Sequence, residues 1–202
     1  ALLRGLKPTA PGGKVELTLV RRSPPRFTKS EQACGNAHYK MLLVGDKGVG
    51  KSCLVERYVD NVFTDGVKCT LGLDFHVSHV TSEDGASIKL QIWDATVKPS
   101  RPLTGAFYRG GHAALVVFDV TNRESFEHVT MWLDQIARYI PGGVVSLVGN
   151  KADLAEARTV STEEALAFSA RHDLSYHEVS SKTGSNVDEA FHYACGLLLD
   201  RA

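Results

Sequence analysis

The stretch Gly45-Asp46-Lys47-Gly48-Val49-Gly50-Lys51-Ser52 constrains this chain more than any other. It has the form G-x-x-x-x-G-K-[ST], a P-loop. The apolar run Tyr39–Val44 before it predicts a buried strand, and Cys53–Val59 after it predicts a helix. Glycines let the loop backbone turn its N–H groups inward around phosphate oxygens. The start of the helix adds partial positive charge. In that setting Lys51 reaches the β- and γ-phosphates and the Ser52 hydroxyl holds Mg²⁺. The plain alternative is a glycine turn joining a strand to a helix. The flanking pattern favours the phosphate reading.

The 202-residue length predicts one domain with a tail. Net charge is zero, which removes any global field for nucleic acid. That zero conceals an asymmetry. Residues 1–38 carry seven Lys/Arg and two acids, leaving the remainder at net −5. Residues 1–37 hold four of the seven prolines (Pro8, Pro11, Pro24, Pro25), and their one β-like run, Val15–Val20, has no neighbour to pair with. The segment 1–37 is therefore read as a basic, disordered leader before a domain at 38–200. A transit peptide has a similar composition, but no amphipathic helix is evident. Cys34, Cys53, Cys69 and Cys195 form no C-x-x-C pair, so a reducing, intracellular setting is the default expectation.

From Tyr39 onward strand and helix patterns alternate. Leu71–Thr81 and Ser87–Trp93 read as strands joined through Glu83-Asp84-Gly85, a hairpin signal. Ala113–Asp119 and Val144–Gly149 read as buried strands, and Leu174–Glu178 as a final strand. Thr121-x-x-Glu124 predicts a capping box opening one helix through Tyr139, and Ser161-x-x-Glu164 another reaching Arg171. A last helix spans Asn186–Leu199, with Val187, Phe191, Ala194 and Leu198 on one face. The expectation is an α/β domain with a mostly parallel sheet and helices on both faces.

Two further motifs each follow a strand: Asn150-Lys151-Ala152-Asp153 and Ser180-Ser181-Lys182. Guanine presents N1–H and N2–H₂ donors on one edge, and a carboxylate accepts both, so Asp153 selects guanine. Asn150 can bond the base and tie the loops. Lys151 and Lys182 can lay apolar stems over the base faces, and the Ser181 N–H can donate to guanine O6. Asp153 taken alone would read as a helix or turn cap. Taken with the P-loop it reads as a base contact.

On Gly45–Ser52, Thr70-Leu71-Gly72-Leu73-Asp74-Phe75, Trp93-Asp94, Tyr108-Arg109-Gly110, Asn150–Asp153 and Ser180–Lys182, the chain resembles the Ras superfamily of small GTPases, and most of all its Rab branch. The resemblance covers about Tyr39 to Asp200. It implies a P-loop G domain with a six-stranded sheet, GTP/GDP and Mg²⁺ as ligands, and a switch in vesicle traffic. The nucleotide set it implies is Lys47, Gly48, Val49, Gly50, Lys51, Ser52, Cys53, Phe63, Thr70, Asn150, Lys151, Asp153, Ser181 and Lys182. Ser52, Thr70 and Asp94 match the metal positions. Phe75, Trp93 and Phe107 match the aromatic triad that effectors read, although Phe63 and Phe107 also suit a core. The implied partners are effectors, an exchange factor and an activating protein, with no nucleic acid. A cytoplasmic monomer, peripheral on endomembranes, is the implied setting.

The chain departs from the family after Trp93-Asp94. The family continues Thr-Ala-Gly-Gln-Glu; here the run is Ala95-Thr96-Val97-Lys98-Pro99-Ser100-Arg101-Pro102, one residue shorter. Val97 and Lys98 stand where Gly-Gln is expected, so no catalytic residue is assigned. Weak hydrolysis is the expectation, because the glutamine orients the attacking water. The sequence ends at Arg201-Ala202 with no terminal prenylation cysteine, so stable membrane binding by this chain alone is not expected. The rival readings are a GTP-binding scaffold that does not hydrolyse and, less favoured, an ATP-dependent P-loop kinase.

Overall fold

The computed structural model describes residues 26–29, 37–64, 73–95 and 104–201. Its frame is one seven-stranded sheet, β1 Phe27–Lys29, β2 Ala37–Val44, β3 Leu73–Ser82, β4 Ser87–Ala95, β5 Ala113–Asp119, β6 Val144–Asn150 and β7 Ser175–Glu178, in the order β1-β3-β4-β2-β5-β6-β7. β4, β2, β5, β6 and β7 run parallel to their neighbours, whereas β3 pairs antiparallel with β4 and with β1. The helices are α1 Lys51–Asp60, α2 Gly105–Tyr108, α3 Arg123–Glu127, α4 Val129–Tyr139, α5 Thr162–Arg171 and α6 Val187–Leu199. The α/β arrangement is the expected one.

Strand alternation divides the core in two. Met41 and Leu43 of β2 point to one face with Leu54 and Tyr58 of α1 and Phe191 of α6. Leu42 and Val44 point to the other, with Phe107 of α2, Phe126 of α3, Trp132 and Ile136 of α4 and Phe168 of α5. All seven residues of β5 are buried, as a central strand covered on both sides requires. The predicted α6 face of Val187, Phe191, Ala194 and Leu198 lies wholly in the first cluster.

Two expectations are corrected. The sheet has seven strands rather than six, and the extra one comes from the segment read as a disordered leader. Phe27 is 9% exposed and packs on His192 at a ring separation of 5.3 Å. Lys29 reaches Asp188 at 2.7 Å and sits 4.2 Å over the Tyr58 ring. A three-residue strand shows no alternation, and its partners, Val80–Ser82, are distant in sequence.

The second correction is the helix opened by Thr121. Asp119 takes both the Thr121 N–H at 2.8 Å and its hydroxyl at 2.7 Å, so Thr121 cannot cap. Asn122 caps instead, accepting from the Ser125 N–H. The run then divides at His128 into α3 and α4. Ser161 caps α5 as expected, accepting from the Glu164 N–H at 3.1 Å.

Candidate nucleotide-binding site

β2 delivers the chain into the glycine loop at the carboxyl end of the sheet, where such folds place ligands. Gly45 has φ +144°, and a Cβ there would stand 2.1 Å from the Val117 carbonyl oxygen. Gly50 has φ +92°, and its Cβ would stand 2.4 Å from Asn150 Nδ2. Both positions require glycine on sterics and on backbone conformation. No side chain caps the start of α1, which leaves its first turn suited to an anion.

Lys51 lies under this loop, 6% exposed, and its Nζ donates to Gly45 O at 2.9 Å and Asp46 O at 2.7 Å. Burial lowers its pKa to about 8, with Asp94 and Asp46 pulling upward. Asp46 is held from the far side by His128 Nδ1 at 2.6 Å and Trp132 Nε1 at 2.9 Å. That hydrogen bond raises the His128 pKa. Sequence reasoning missed the pair: His128 and Trp132 carry no motif and meet Asp46 only through the fold.

Ser52 Oγ hydrogen-bonds Asp94 Oδ2. Asp94 is 1% exposed, and its Oδ1 has no hydrogen-bond partner among the described residues. Burial pushes its carboxyl up against the opposing pull of Ser52 and Lys51. A hydroxyl beside a buried carboxylate with a spare oxygen is the hard donor set that Mg²⁺ takes. The residues present fit that ion.

The side to which the sequence reading assigns the base is built from two loops. Asn150, 1% exposed, donates from Nδ2 to Val49 O at 2.9 Å. Its Oδ1 accepts from the Ser181 N–H at 3.1 Å and hydroxyl at 3.0 Å. The Ser181 N–H assigned to guanine O6 from the sequence is thus directed at Asn150. The Ser180 hydroxyl, which the sequence reading left without a role, donates to Asp153 Oδ1 at 2.6 Å. Lys151 adopts φ +65° and its ammonium lies 2.6 Å from Asp119 Oδ2. Arg57 of α1, also missed, donates to Ser181 O at 2.8 Å and Lys182 O at 2.9 Å. Cys53 and Phe63 are half-buried. Burial raises the Cys53 thiol pKa.

Thr70, Val97 and Lys98 lie outside the described residues. Phe75 and Trp93 face each other across β3 and β4 at 5.7 Å, with Phe75 57% exposed and Lys40 Nζ 4.2 Å over the Trp93 ring. Phe107 is 2% exposed and belongs to the core, and Trp93 is half-buried against the same cluster, so of the three aromatics read from the sequence only Phe75 is widely exposed.

Comparison with known proteins adds an independent line. Residues 40–199 match the model of the Ras family. The chain is 44% identical over 165 residues to "GTP-binding protein YPTM2" of Zea mays, covering 81% of each chain. It is 46% identical over 155 residues to "Ras-related protein RABD2c" of Arabidopsis thaliana, covering 76% of each. It is 42% identical over 166 residues to "Ras-related protein Rab-1" of Theileria parva, covering 81% of this chain and 75% of that one.

Proposed function

Because the chain belongs to the Ras family, in its Rab branch, we propose that it is a Mg²⁺-dependent guanine-nucleotide switch acting in intracellular vesicle traffic. One observation carries the reading. Asp153, held by Ser180, and Asn150, bonded to both the phosphate loop and Ser181, join a guanine-selecting carboxylate to a phosphate cradle. Lys47–Cys53 then surround the phosphates, with Lys51 supplying charge. Ser52 and Asp94 hold Mg²⁺ together with Thr70, and the metal supplies charge neutralisation on the phosphates. Lys151, Lys182 and Phe63 flank the base. Phe75 and Trp93 form the surface that effector proteins read. Nucleotide-dependent ordering of the switch segments is the signal. No helix among the described residues is long and apolar enough to cross a membrane.

The test is nucleotide competition. GDP and GTP displace a labelled guanine nucleotide, ATP does not, and Asp153→Asn shifts preference toward xanthine nucleotides, whose C2 carbonyl accepts where guanine donates. Equal competition by ATP would overturn the assignment in favour of an ATP-using P-loop enzyme. A second reading, a GTP-binding scaffold with little hydrolysis, is favoured by Val97-Lys98 standing in place of Gly-Gln.

A further inference from the structure

Glu178 is the last residue of β7, and its carboxylate is taken up by Arg158, Thr162 and Tyr176. It receives a bidentate pair from Arg158, Nη1 to Oε1 at 2.9 Å and Nη2 to Oε2 at 3.1 Å. The Thr162 hydroxyl at the start of α5 and the Tyr176 hydroxyl in β7 each donate to Oε1 at 2.8 Å. The two charged side chains are only 23% and 20% exposed. Such forked, partly buried pairs fix geometry as well as charge. The donors hold the Glu178 carboxyl below its ordinary pKa against the burial that opposes them.

The two partners belong to different halves of the base site. Arg158 lies on the segment that begins with Asn150–Asp153, and Glu178 directly precedes Val179-Ser180-Ser181-Lys182. Between them the halves share a backbone bond, Ala152 N to Val179 O at 3.1 Å, and the Ser180–Asp153 bond at 2.6 Å. Asn186 fixes the Glu178 carbonyl at 2.9 Å, so β7 cannot slide without moving the start of α6. No hydrogen bond or ion pair joins Arg158 or Glu178 to Asn150, Asp153 or Ser181 directly.

We propose that the Arg158–Glu178 pair is a positioning element for base selection: it staples the Asp153 loop to the Ser181 loop and so sets how closely the Asp153 carboxylate meets the two donors of the base. This deepens the guanine-nucleotide reading and rests on it. Removing the staple leaves the Asp153 carboxylate present but lets its loop, and the carboxylate with it, drift from the opposite loop. Two hydrogen bonds made at once by one carboxylate depend steeply on that separation. The loss therefore falls most on the contact with the exocyclic amine, which inosine nucleotides lack.

The experiment measures dissociation constants of GDP and inosine diphosphate for the full chain, for Arg158→Ala and Glu178→Gln, and for Arg158→Lys. Phe126→Leu, a core change in α3 that removes no bond of either loop, serves as a stability-matched control. The expected result is a GDP-over-inosine-diphosphate preference reduced by roughly threefold to tenfold in Arg158→Ala and Glu178→Gln. Arg158→Lys restores part of it through charge without the fork. Phe126→Leu lowers the denaturation midpoint and leaves the ratio unchanged. A wild-type ratio in Arg158→Ala, Glu178→Gln and Arg158→Lys, whatever their stability, would overturn the proposal and leave the pair a purely structural bridge. Failure of the wild-type chain to prefer GDP over ATP would overturn the underlying reading instead.

Discussion

Replacing Asn150 with alanine tests whether one side chain holds the phosphate loop and the base loop together. Four hydrogen bonds are lost: Nδ2 to Val49 O at 2.9 Å and, at the long limit, to Gly50 O at 3.5 Å, and Oδ1 from the Ser181 N–H at 3.1 Å and hydroxyl at 3.0 Å. Asn150 is 1% exposed, so the groups left behind sit where water is scarce. The Ser181 hydroxyl can rotate to another acceptor and contributes little. The Val49 carbonyl and the Ser181 N–H cannot move, and each buried orphan costs about 1–3 kcal/mol. Water entering the vacated space offsets part of this, giving a net loss of about 2–4 kcal/mol. Urea unfolding without added nucleotide reads it: with a slope near ~2 kcal/mol/M, the midpoint falls by about 1–2 M at unchanged slope. Ser181→Ala, which removes only the hydroxyl contact, lowers stability by less than about 1 kcal/mol. A double-mutant cycle between the two isolates their shared term. Gly50→Ala supplies an internal check. Its Cβ meets Asn150 Nδ2 at 2.4 Å, so it is less harmful in the Asn150→Ala background, although its positive φ still strains it. An Asn150→Ala midpoint no lower than that of Ser181→Ala would refute the claim that Asn150 joins the loops.

Three further outcomes are expected. Restoring Thr-Ala-Gly-Gln-Glu after Trp93-Asp94 raises single-turnover GTP hydrolysis more than tenfold, about 1.4 kcal/mol of barrier; equal rates would place the chemistry elsewhere. His177 is buried and held neutral by desolvation, its pKa lowered to about 4. The unfolded chain binds that proton from about pH 6.5 and the folded chain does not, so stability falls as pH drops from 6.5 toward 4, by roughly 1.4 kcal/mol per unit. His177→Leu flattens that slope, and an unchanged slope in urea midpoints across this range would show that His177 is not its source. Phe27→Ala removes a residue only 9% exposed and costs about 2–4 kcal/mol, whereas Lys29→Ala costs less than about 1. A neutral Phe27→Ala would mean that β1 is not part of the cooperative unit.

What could be read from the sequence was whatever repeats locally. The glycine loop, the apolar β5 run, the α6 face and the Ser161 cap each declare themselves within a dozen residues, and each is found where expected. Asp119 was legible only as a strand end. Its capture of Thr121, and its pairing with Lys151, need two loops brought together across the sheet. Asp46 is a variable position within its own motif, and its hold on His128 and Trp132 follows from how α4 packs over the loop. Ser180, Arg57 and the Arg158–Glu178 pair are of the same kind: ordinary residues whose roles come from tertiary placement. β1 escaped because three residues are too few to carry a period. Phe107 was legible both as a motif position and as a core residue, and packing puts it in the core.

The contact between β1 and α6 bears on how the chain is made. Lys29 finds Asp188 across a sequence separation of 159 residues, and Tyr39 donates to the Leu198 carbonyl across the same span. The Tyr58 ring stacks on Phe191 at 3.9 Å. A ribosome emits β1, β2 and α1 long before the helix that completes their face. Until then the Tyr58 ring lacks its stacking partner, and the nascent domain cannot complete its native core at any intermediate length. Contacts of such span make folding slow and leave apolar surface exposed meanwhile. The loop at Ser180–Lys182 emerges almost as late, so no partly made chain holds the whole candidate site. Completion of the fold and completion of the candidate site therefore both wait on the same last stretch of chain.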